Sequence, residues 1–308
     1  MELNLKEKIK RFNILLILVL LVFVSSILSP NFLEINNLLN VVRQASLLGL
    51  IAFGMTLIII SGGIDLSVGS MVAVASVLSS TLIQDHNVLY AVIVSLTVTT
   101  LIGIINGIII TKGKLQPFLV TLAMMVTARG FSQIYAKGML IEIFNESFLS
   151  IGRGHFIGIP IPVIILAIAF LLIYFIMNRT VLGISIFAIG GNSKASYLSG
   201  LSVNTIKTIL YGISGLLSGI AGLIYTSRLG AGYGMAGMQY ELEAIAAVVM
   251  GGTLMSGGSG KVTGTLAGVL IIAVLKTILN MLNVPAPYHL ILQAAIIIGA
   301  VITHRKIK

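Results

Sequence analysis

Apolar stretches of membrane-spanning length alternate with short polar or glycine-containing breaks along the whole chain. They fall at 12–28, 42–61, 67–83, 88–110, 117–135, 160–178, 204–226, 240–250, 262–282 and 288–303. A transmembrane helix needs about 20 predominantly apolar residues. The pattern therefore predicts an all-α integral membrane protein, a polytopic bundle of about ten transmembrane helices forming one domain over 1–308. The stretch at 240–250 is short for a full crossing. Pro30, Pro117, Pro160, Pro162, Pro285 and Pro287 stand at or just outside the predicted span ends, where a missing N–H does least harm. The first apolar run follows a basic segment (Lys6, Lys8, Lys10, Arg11) and is closed by no Ala-x-Ala-like site, so it reads as a retained first helix.

Basic residues set the orientation. With the N-terminus in the cytoplasm and ten alternating spans, Lys6, Lys8, Lys10, Arg11, Lys112, Lys114, Arg179, Lys194, Lys207, Lys261, Arg305, Lys306 and Lys308 fall inside. That is 13 of the 19 Lys and Arg residues, as the positive-inside rule requires, and both termini are then cytoplasmic. The longest outer loop, 136–159, has room for a short surface helix.

Composition excludes most other classes. The chain is 57% hydrophobic and 9% charged, with mean hydropathy +1.09, whereas soluble domains carry roughly 25% charged residues. The net charge of +10 is the signature of cytoplasmic loops and implies no nucleic acid. With no Cys, disulfides, thiolate metal sites and Cys nucleophiles are ruled out. Gly257-Gly258-Ser259-Gly260-Lys261 resembles a phosphate loop, but Met255 stands where its first Gly belongs and Val262 where Ser or Thr belongs. Gly232, Gly234 and Gly237 match GxGxxG without a preceding strand and read as a flexible outer loop. His86, His155, His289 and His304 are scattered, and the nine acidic residues form no metal-binding cluster. No catalytic residue and no metal site is expected.

Transport is what remains. Ion-coupled transporters usually carry carboxylates inside spans; here only Glu241 and Glu243 come close. Asn106, Thr127, Gln133, Tyr211, Asn280 and Gln293 would line a path for a neutral polyhydroxylated solute, or equally hold helices together. Three features carry more information. Gly62 and Gly63 break a helix, after which Asp65 can accept N–H bonds from Ser67 or Val68, either as a capped turn or as a broken cavity-lining segment. An echo follows 189 residues later, with Gly251, Gly252, Ser256 and Gly258 repeating the spacing of Gly62, Gly63, Ser67 and Gly69. The segment 179–203 is cytoplasmic by parity. In it Gly190 and Gly191 form a turn, Asn192 caps a two-turn helix showing Ala195 and Leu198 on one side, and Gly200 stops it. Such a helix suits docking into a partner's groove or lying on lipid. Glycine ladders at 103/107, 215/219 and 260/264/268, with Ser218/Gly222, allow close helix packing within the chain or between copies.

Taken in order, these segments resemble the ribose-type permeases of bacterial binding-protein-dependent ABC sugar importers. The likeness runs through Ser29-Pro30-Asn31-Phe32, Asn36-Asn37-Leu38, Gly54-Met55-Thr56, Gly62 to Ser70, Thr121-Leu122-Ala123-Met124, Arg129-Gly130, Gly190-Gly191-Asn192, Leu198-Ser199-Gly200, Tyr240-Glu241-Leu242, Ala244 to Val249 and Gly251-Gly252-Thr253. Ser193 and Lys194 stand where the family commonly has acidic residues, and Glu243 where it commonly has Asp. The resemblance implies a homodimeric permease in the bacterial plasma membrane, fed by an extracytoplasmic sugar-binding protein and importing a monosaccharide such as ribose. It implies that a cytoplasmic ABC ATPase subunit docks on Gly190, Gly191, Asn192, Ala195, Leu198, Ser199 and Gly200. ATP and Mg would belong to that partner, with no cofactor on this chain. Gly62, Gly63, Asp65, Ser67, Asn106, Arg129 and Glu243 are the candidate pathway residues. Arg129, near mid-depth of its span, needs protein or water around it, with Asp65 or Glu243 as the expected partner. Permeases for amino acids or nucleosides, and a stand-alone facilitator, are the alternative readings.

Overall fold

The computed structural model describes residues 5–285, 287–289, 291–292 and 294–295, with side-chain surroundings from residue 14 onward. Twelve α-helices follow in order among these residues: α1 (Leu5–Leu28), α2 (Ile35–Ile60), α3 (Val68–Asp85), α4 (Val88–Lys112), α5 (Pro117–Tyr135), α6 (Glu146–Arg153), α7 (Ile161–Arg179), α8 (Val181–Gly191), α9 (Ser193–Leu198), α10 (Val203–Leu229), α11 (Tyr240–Met250) and α12 (Val262–Met281). A 3-10 turn, Pro30–Leu33, links α1 to α2. The protein is all-α and polytopic. Among the described residues seven helices (α2, α3, α4, α5, α7, α10 and α12) are long and apolar enough to cross a membrane.

The predicted span at 240–250 is a half-length element. Its 11 residues rise about 17 Å, roughly half a bilayer core. The last predicted span, 288–303, lies largely outside the described residues, as do Gln293 and both chain termini. Pro117 and Pro162 occupy the first turns of α5 and α7, as their missing N–H groups dictate. The loop 136–159 carries the expected short surface helix, α6, capped by the Asn145 side chain accepting from the Phe148 amide at 3.1 Å.

Burial divides the helices by role. The most apolar 18 residues of α2 are 89% buried, against 22% for α4 and α5 and 28% for α7. The exposed apolar faces are surfaces that lipid or another subunit can cover, and the buried α2 is the axis of the bundle. Around α2 pack α7, α10, α11 and α12, while α10 also packs on α3 and α4.

The small-residue ladders work within the chain, where they bring helix backbones together. A Cβ on Gly107 of α4 would stand 2.6 Å from the Thr208 Cα of α10, and one on Gly222 of α10 2.7 Å from the Ala75 Cβ of α3. Gly264 and Gly268 of α12 lie against the carbonyls of Gly251 and Ala247 at the end of α11. Without a hydrophobic force between helices in lipid, such close packing supplies much of the association energy.

Two short pairs of strands trim the loops. β1 (Ile141–Glu142) pairs antiparallel with β4 (Ala231–Gly232), Ile141 opposite Gly232, and β2 (His155–Phe156) pairs with β3 (Ile159–Pro160). The glycine-rich segment 231–237, expected to be a flexible outer loop, is instead folded into the bundle. Ala231, Gly232, Gly234, Ala236 and Gly237 are all buried, and the Tyr233 amide donates to the Ser76 hydroxyl of α3 at 3.0 Å. Its glycines serve contact: a Cβ on Gly237 would meet the Gly69 carbonyl at 2.6 Å.

Candidate functional site

Three motifs far apart in sequence converge at one end of the bundle. α2 ends at Ser61, whose amide still donates to Leu57, and Gly62 then takes φ +81°. The Gly62 and Gly63 amides turn back to the carbonyls of Ile59 and Ile58. α11 ends in the same way: Gly251 donates to Ala247, Gly252 (φ +88°) to Val249 and Thr253 to Val248. Both are glycine stops of the left-handed type. The equivalent residues are Gly62 and Gly252, so the internal echo is displaced by one from the register that glycine spacing suggested. The following links also differ, since α3 starts at Val68 and α12 at Val262.

The α11–α12 loop returns to the end of α2, where the Gly258 amide donates to the Ile60 carbonyl at 2.8 Å. Gly190 at the end of α8 presses on this bond, and a Cβ there would collide with both the Ile60 carbonyl oxygen and the Gly258 nitrogen. Gly257 (φ +85°) lies against the Gly190 carbonyl and the Gly62 amide. The phosphate-loop-like segment is thus a backbone joint between α2, α8 and α12.

Gly190 and Gly191 are the last residues of α8, which corrects the turn expected there. The close approach to Ile60 and Gly258 requires Gly190 without a break in the helix. The break comes one residue later, at Asn192 (φ −157°, ψ 97°). As expected, Asn192 caps the next helix, its Oδ1 accepting from the Ala195 amide at 2.9 Å. Gly200 ends the segment at φ +88°. α9 has six residues, a little under two turns. Ala195 and Tyr197 are exposed, and Leu198 is 75% exposed.

Beside this joint lies a buried polar cluster. Asp65 has no exposed surface. Its Oδ1 accepts from the Ser67 amide at 2.9 Å and the Ser67 hydroxyl at 2.6 Å, and its Oδ2 from the Ser214 hydroxyl of α10 at 3.1 Å. The Asn106 amide of α4 donates to the Ser67 hydroxyl oxygen at 2.9 Å. The Tyr211 hydroxyl donates to the Ile64 carbonyl at 3.3 Å, and the Thr121 hydroxyl is shared between that carbonyl at 3.3 Å and the Pro117 carbonyl of its own helix at 2.9 Å. The broken α2–α3 link is tied in this way to α4, α5 and α10, which satisfies most polar groups of the cluster where lipid could not, the Asn106 Oδ1 alone among them being buried without a partner among the described residues. Asp65, Ser67 and Asn106 come together as candidates; Ser214 and Thr121 are members that spacing did not single out. Of the flanking glycines, Gly62 is exposed and Gly63 buried, and a Cβ on Gly63 would stand 2.8 Å from the Tyr211 hydroxyl.

Arg129 and Glu243 lie elsewhere and are not paired with each other or with Asp65. Arg129 of α5 donates through Nη1 to the Ala236 carbonyl at 2.6 Å, with the Gly234 carbonyl at 3.4 Å. Backbone carbonyls of a folded-in loop offer fixed acceptors within reach. Glu241 lies near enough to Arg129 to feel its charge. Glu243 instead receives the Lys276 ammonium of α12 on both carboxylate oxygens at 2.6 Å. Both acids stand in the first turn of α11, where the helix dipole favours negative charge. Two residues of separation on a helix points them to different neighbours. Among the described residues no group of three His, Asp or Glu is placed to hold a metal ion.

The Glu243–Lys276 pair lines a 470 Å³ cavity between α2, α10, α11 and α12. Its apolar side is Leu47 and Leu48 of α2 with Ile272 and Ala273 of α12. Tyr225 and Arg228 enter from α10, Tyr240 from α11, and Gln44 and Asn280 from α2 and α12. Lys276 also sits over the Tyr240 ring, 5.8 Å from its centroid, a cation–π geometry. This cavity lies where α10 and α12 end and α11 begins. Of the predicted polar path residues, Asn280 lines it, whereas Asn106 and Tyr211 belong to the Asp65 cluster. Thr127 and Gln133 are exposed on α5.

Comparison with known proteins decides the family. Residues 37–301 match the family described as "Branched-chain amino acid transport system / permease component". The chain belongs to this permease family. The permease is 45% identical to the "Ribose import permease protein RbsC" of Bacillus subtilis (strain 168), over 94% of this chain and 91% of that protein. It is 42% identical to the protein of the same name in Escherichia coli K12, over 95% and 92%. It is 34% identical to the "L-arabinose ABC transporter permease protein AraH" of Azospirillum brasilense, over 96% and 88%. No solved structure matches the permease.

Proposed function

We propose that this chain is the membrane permease subunit of an ABC importer that carries a monosaccharide, ribose or a similar pentose, into the bacterial cytoplasm. The observation that carries this reading is identity of 42–45% over more than nine-tenths of the chain to ribose import permeases. Arabinose permeases stand lower, at 33–34%. The protein is a multi-pass protein of the bacterial inner membrane. Such a subunit works with a cytoplasmic ATPase and a substrate-binding protein outside, and we infer a second copy of the permease as the other half of the channel. In this reading ATP and Mg stay on the ATPase, and the permease carries no catalytic residue.

The structure supports a mechanical division of labour. α9 offers an exposed, capped turn with Tyr197 and Leu198 for a groove on the ATPase. α8 carries any displacement of α9 directly to Gly190, and from there to the ends of α2 and the α11–α12 loop. The Asp65 cluster then links the same corner to α3, α4 and α10. Force applied at α9 is thereby delivered to the short α11 without crossing lipid-facing surface. Close-packed elements transmit displacement because they deform little.

The test is reconstitution of the permease with its ATPase and binding protein in proteoliposomes, with uptake measured for a panel of monosaccharides, leucine and a nucleoside. ATP-dependent, vanadate-sensitive accumulation of a pentose is expected. Uptake of leucine or the nucleoside in its place would refute the substrate class, and uphill uptake by the permease alone would refute the ABC reading.

A further inference from the structure

We propose that the cavity between α2, α10, α11 and α12 is a transit subsite that binds a monosaccharide in its cyclic polyol form. The proposal rests on the sugar-importer reading and adds where on this chain the sugar is first held. With the orientation that the basic residues give, the cavity stands at the extracytoplasmic ends of its helices, on the side where solute arrives.

Its 470 Å³ volume lies within the range of small-molecule sites. The lining matches the two-sided chemistry of a sugar ring. Leu47, Leu48 and the rings of Tyr225 and Tyr240 offer apolar faces for the C–H surface. Around them, Gln44 and Asn280 each bring a donor and an acceptor in one amide, and the tyrosines bring hydroxyls. The Glu243–Lys276 pair adds carboxylate acceptors and ammonium donors while cancelling its own charge, and the Arg228 guanidinium on the α10 wall adds further donors and leaves the lining one net positive charge. Ring hydroxyls both donate and accept, so a wall of mixed polarity suits them better than a wall of one sign. The position also argues against a lipid site. Two walls are α2 and α10, whose apolar windows are 89% and 67% buried, and none is the largely exposed α4, α5 or α7.

The chain contains no Cys, which makes a direct test available. Asn280→Cys places one thiol in the cavity, and Gln44→Cys places one on the opposite wall should the first variant fail to assemble. The variant is reconstituted with its ATPase and binding protein, and the thiol is labelled from outside with a charged, membrane-impermeant reagent. Ribose at ten times its half-protecting concentration leaves about one-tenth of the sites free, so labelling slows about tenfold. Tyr225→Leu on the same background abolishes the protection and leaves the sugar-free labelling rate unchanged.

An unlabelled thiol at both positions would show a cavity closed to water and overturn the proposal. Protection by sodium phosphate but not by ribose would mark an anion site and overturn it equally. Labelling indifferent to ribose in vesicles that accumulate ribose refutes the subsite and leaves the importer reading standing. Vesicles that accumulate no monosaccharide refute the importer reading itself.

Discussion

Gly190 seats on the hydrogen bond between the Gly258 amide and the Ile60 carbonyl, so that the end of α8 touches the end of α2 and the α11–α12 loop at once. No side chain intervenes at this joint. A contact made of backbone alone has few ways to yield, and it couples α8 to α2 and α12 more stiffly than a layer of rotamers would.

Replacing Gly190 tests that stiffness. A Cβ at Gly190 collides with fixed backbone on two sides, whereas one at the adjacent Gly191 meets nothing within 4 Å. Gly190→Ala is expected to destabilise the permease by about 1–3 kcal/mol, as overpacking does, and to reduce ATP-driven uptake more than expression. Gly191→Ala is expected to change stability by less than about 0.5 kcal/mol. Thermal unfolding of both purified variants checks the contrast, and equal shifts would contradict it.

Asp65 organises the neighbouring cluster by accepting three hydrogen bonds in a place without exposed surface. Asp65→Ala leaves the Ser67 amide and two hydroxyls without their acceptor, at about 1–3 kcal/mol for a buried unsatisfied group. Asp65→Asn keeps one carbonyl acceptor and is expected to lose less. Unfolding midpoints in detergent should fall in the order wild type, Asn, Ala. A variant Ala protein as stable as wild type would show that the α2–α3 link does not depend on this carboxylate.

Local signals in the sequence were legible because they rest on single residues and their immediate neighbours. The left-handed stops at Gly62 and Gly200, the Asn192 cap and the Asp65–Ser67 turn all follow from backbone geometry within a few positions. Partners across helices were not legible. Nothing in spacing indicates that Arg129 faces carbonyls of Gly234 and Ala236, or that Glu243 meets Lys276, because helix rotation is set by packing. The glycine echo was visible but one residue out of register. Glycine counts alone cannot tell the helical Gly251 from the left-handed Gly252, whereas Gly62 is left-handed in the first copy. The role of Gly257 and Gly258 was hidden by likeness to a phosphate loop.

The Glu243–Lys276 pair joins α11 to α12 at the wall of the cavity, with Lys276 the more exposed partner. Removing either charge leaves the other partly buried and unmatched. Glu243→Gln and Lys276→Met are each expected to lower stability, and the double variant to recover part of the loss, giving a coupling of about 1–3 kcal/mol. A double-mutant cycle on thermal unfolding measures it. Strict additivity would show that the pair is solvated enough to contribute nothing.

The start of α9 is fixed by one side chain, the Asn192 oxygen that caps the Ala195 amide, and its Tyr197 and Leu198 are exposed. Cap loss costs about 1 kcal/mol, a small part of the stability of a membrane bundle but a large part of that of a six-residue helix. Asn192→Ala is therefore expected to leave the unfolding midpoint of the permease nearly unchanged while weakening its grip on the ATPase. Leu198→Asp acts on the same contact by a different route, placing a charge where an apolar groove should close. In both variants ATPase activity in the complex should lose its stimulation by sugar-loaded binding protein, and Leu198→Asp should also reduce co-purification of the ATPase. Full stimulation in both would mean that the motor engages another part of the cytoplasmic face.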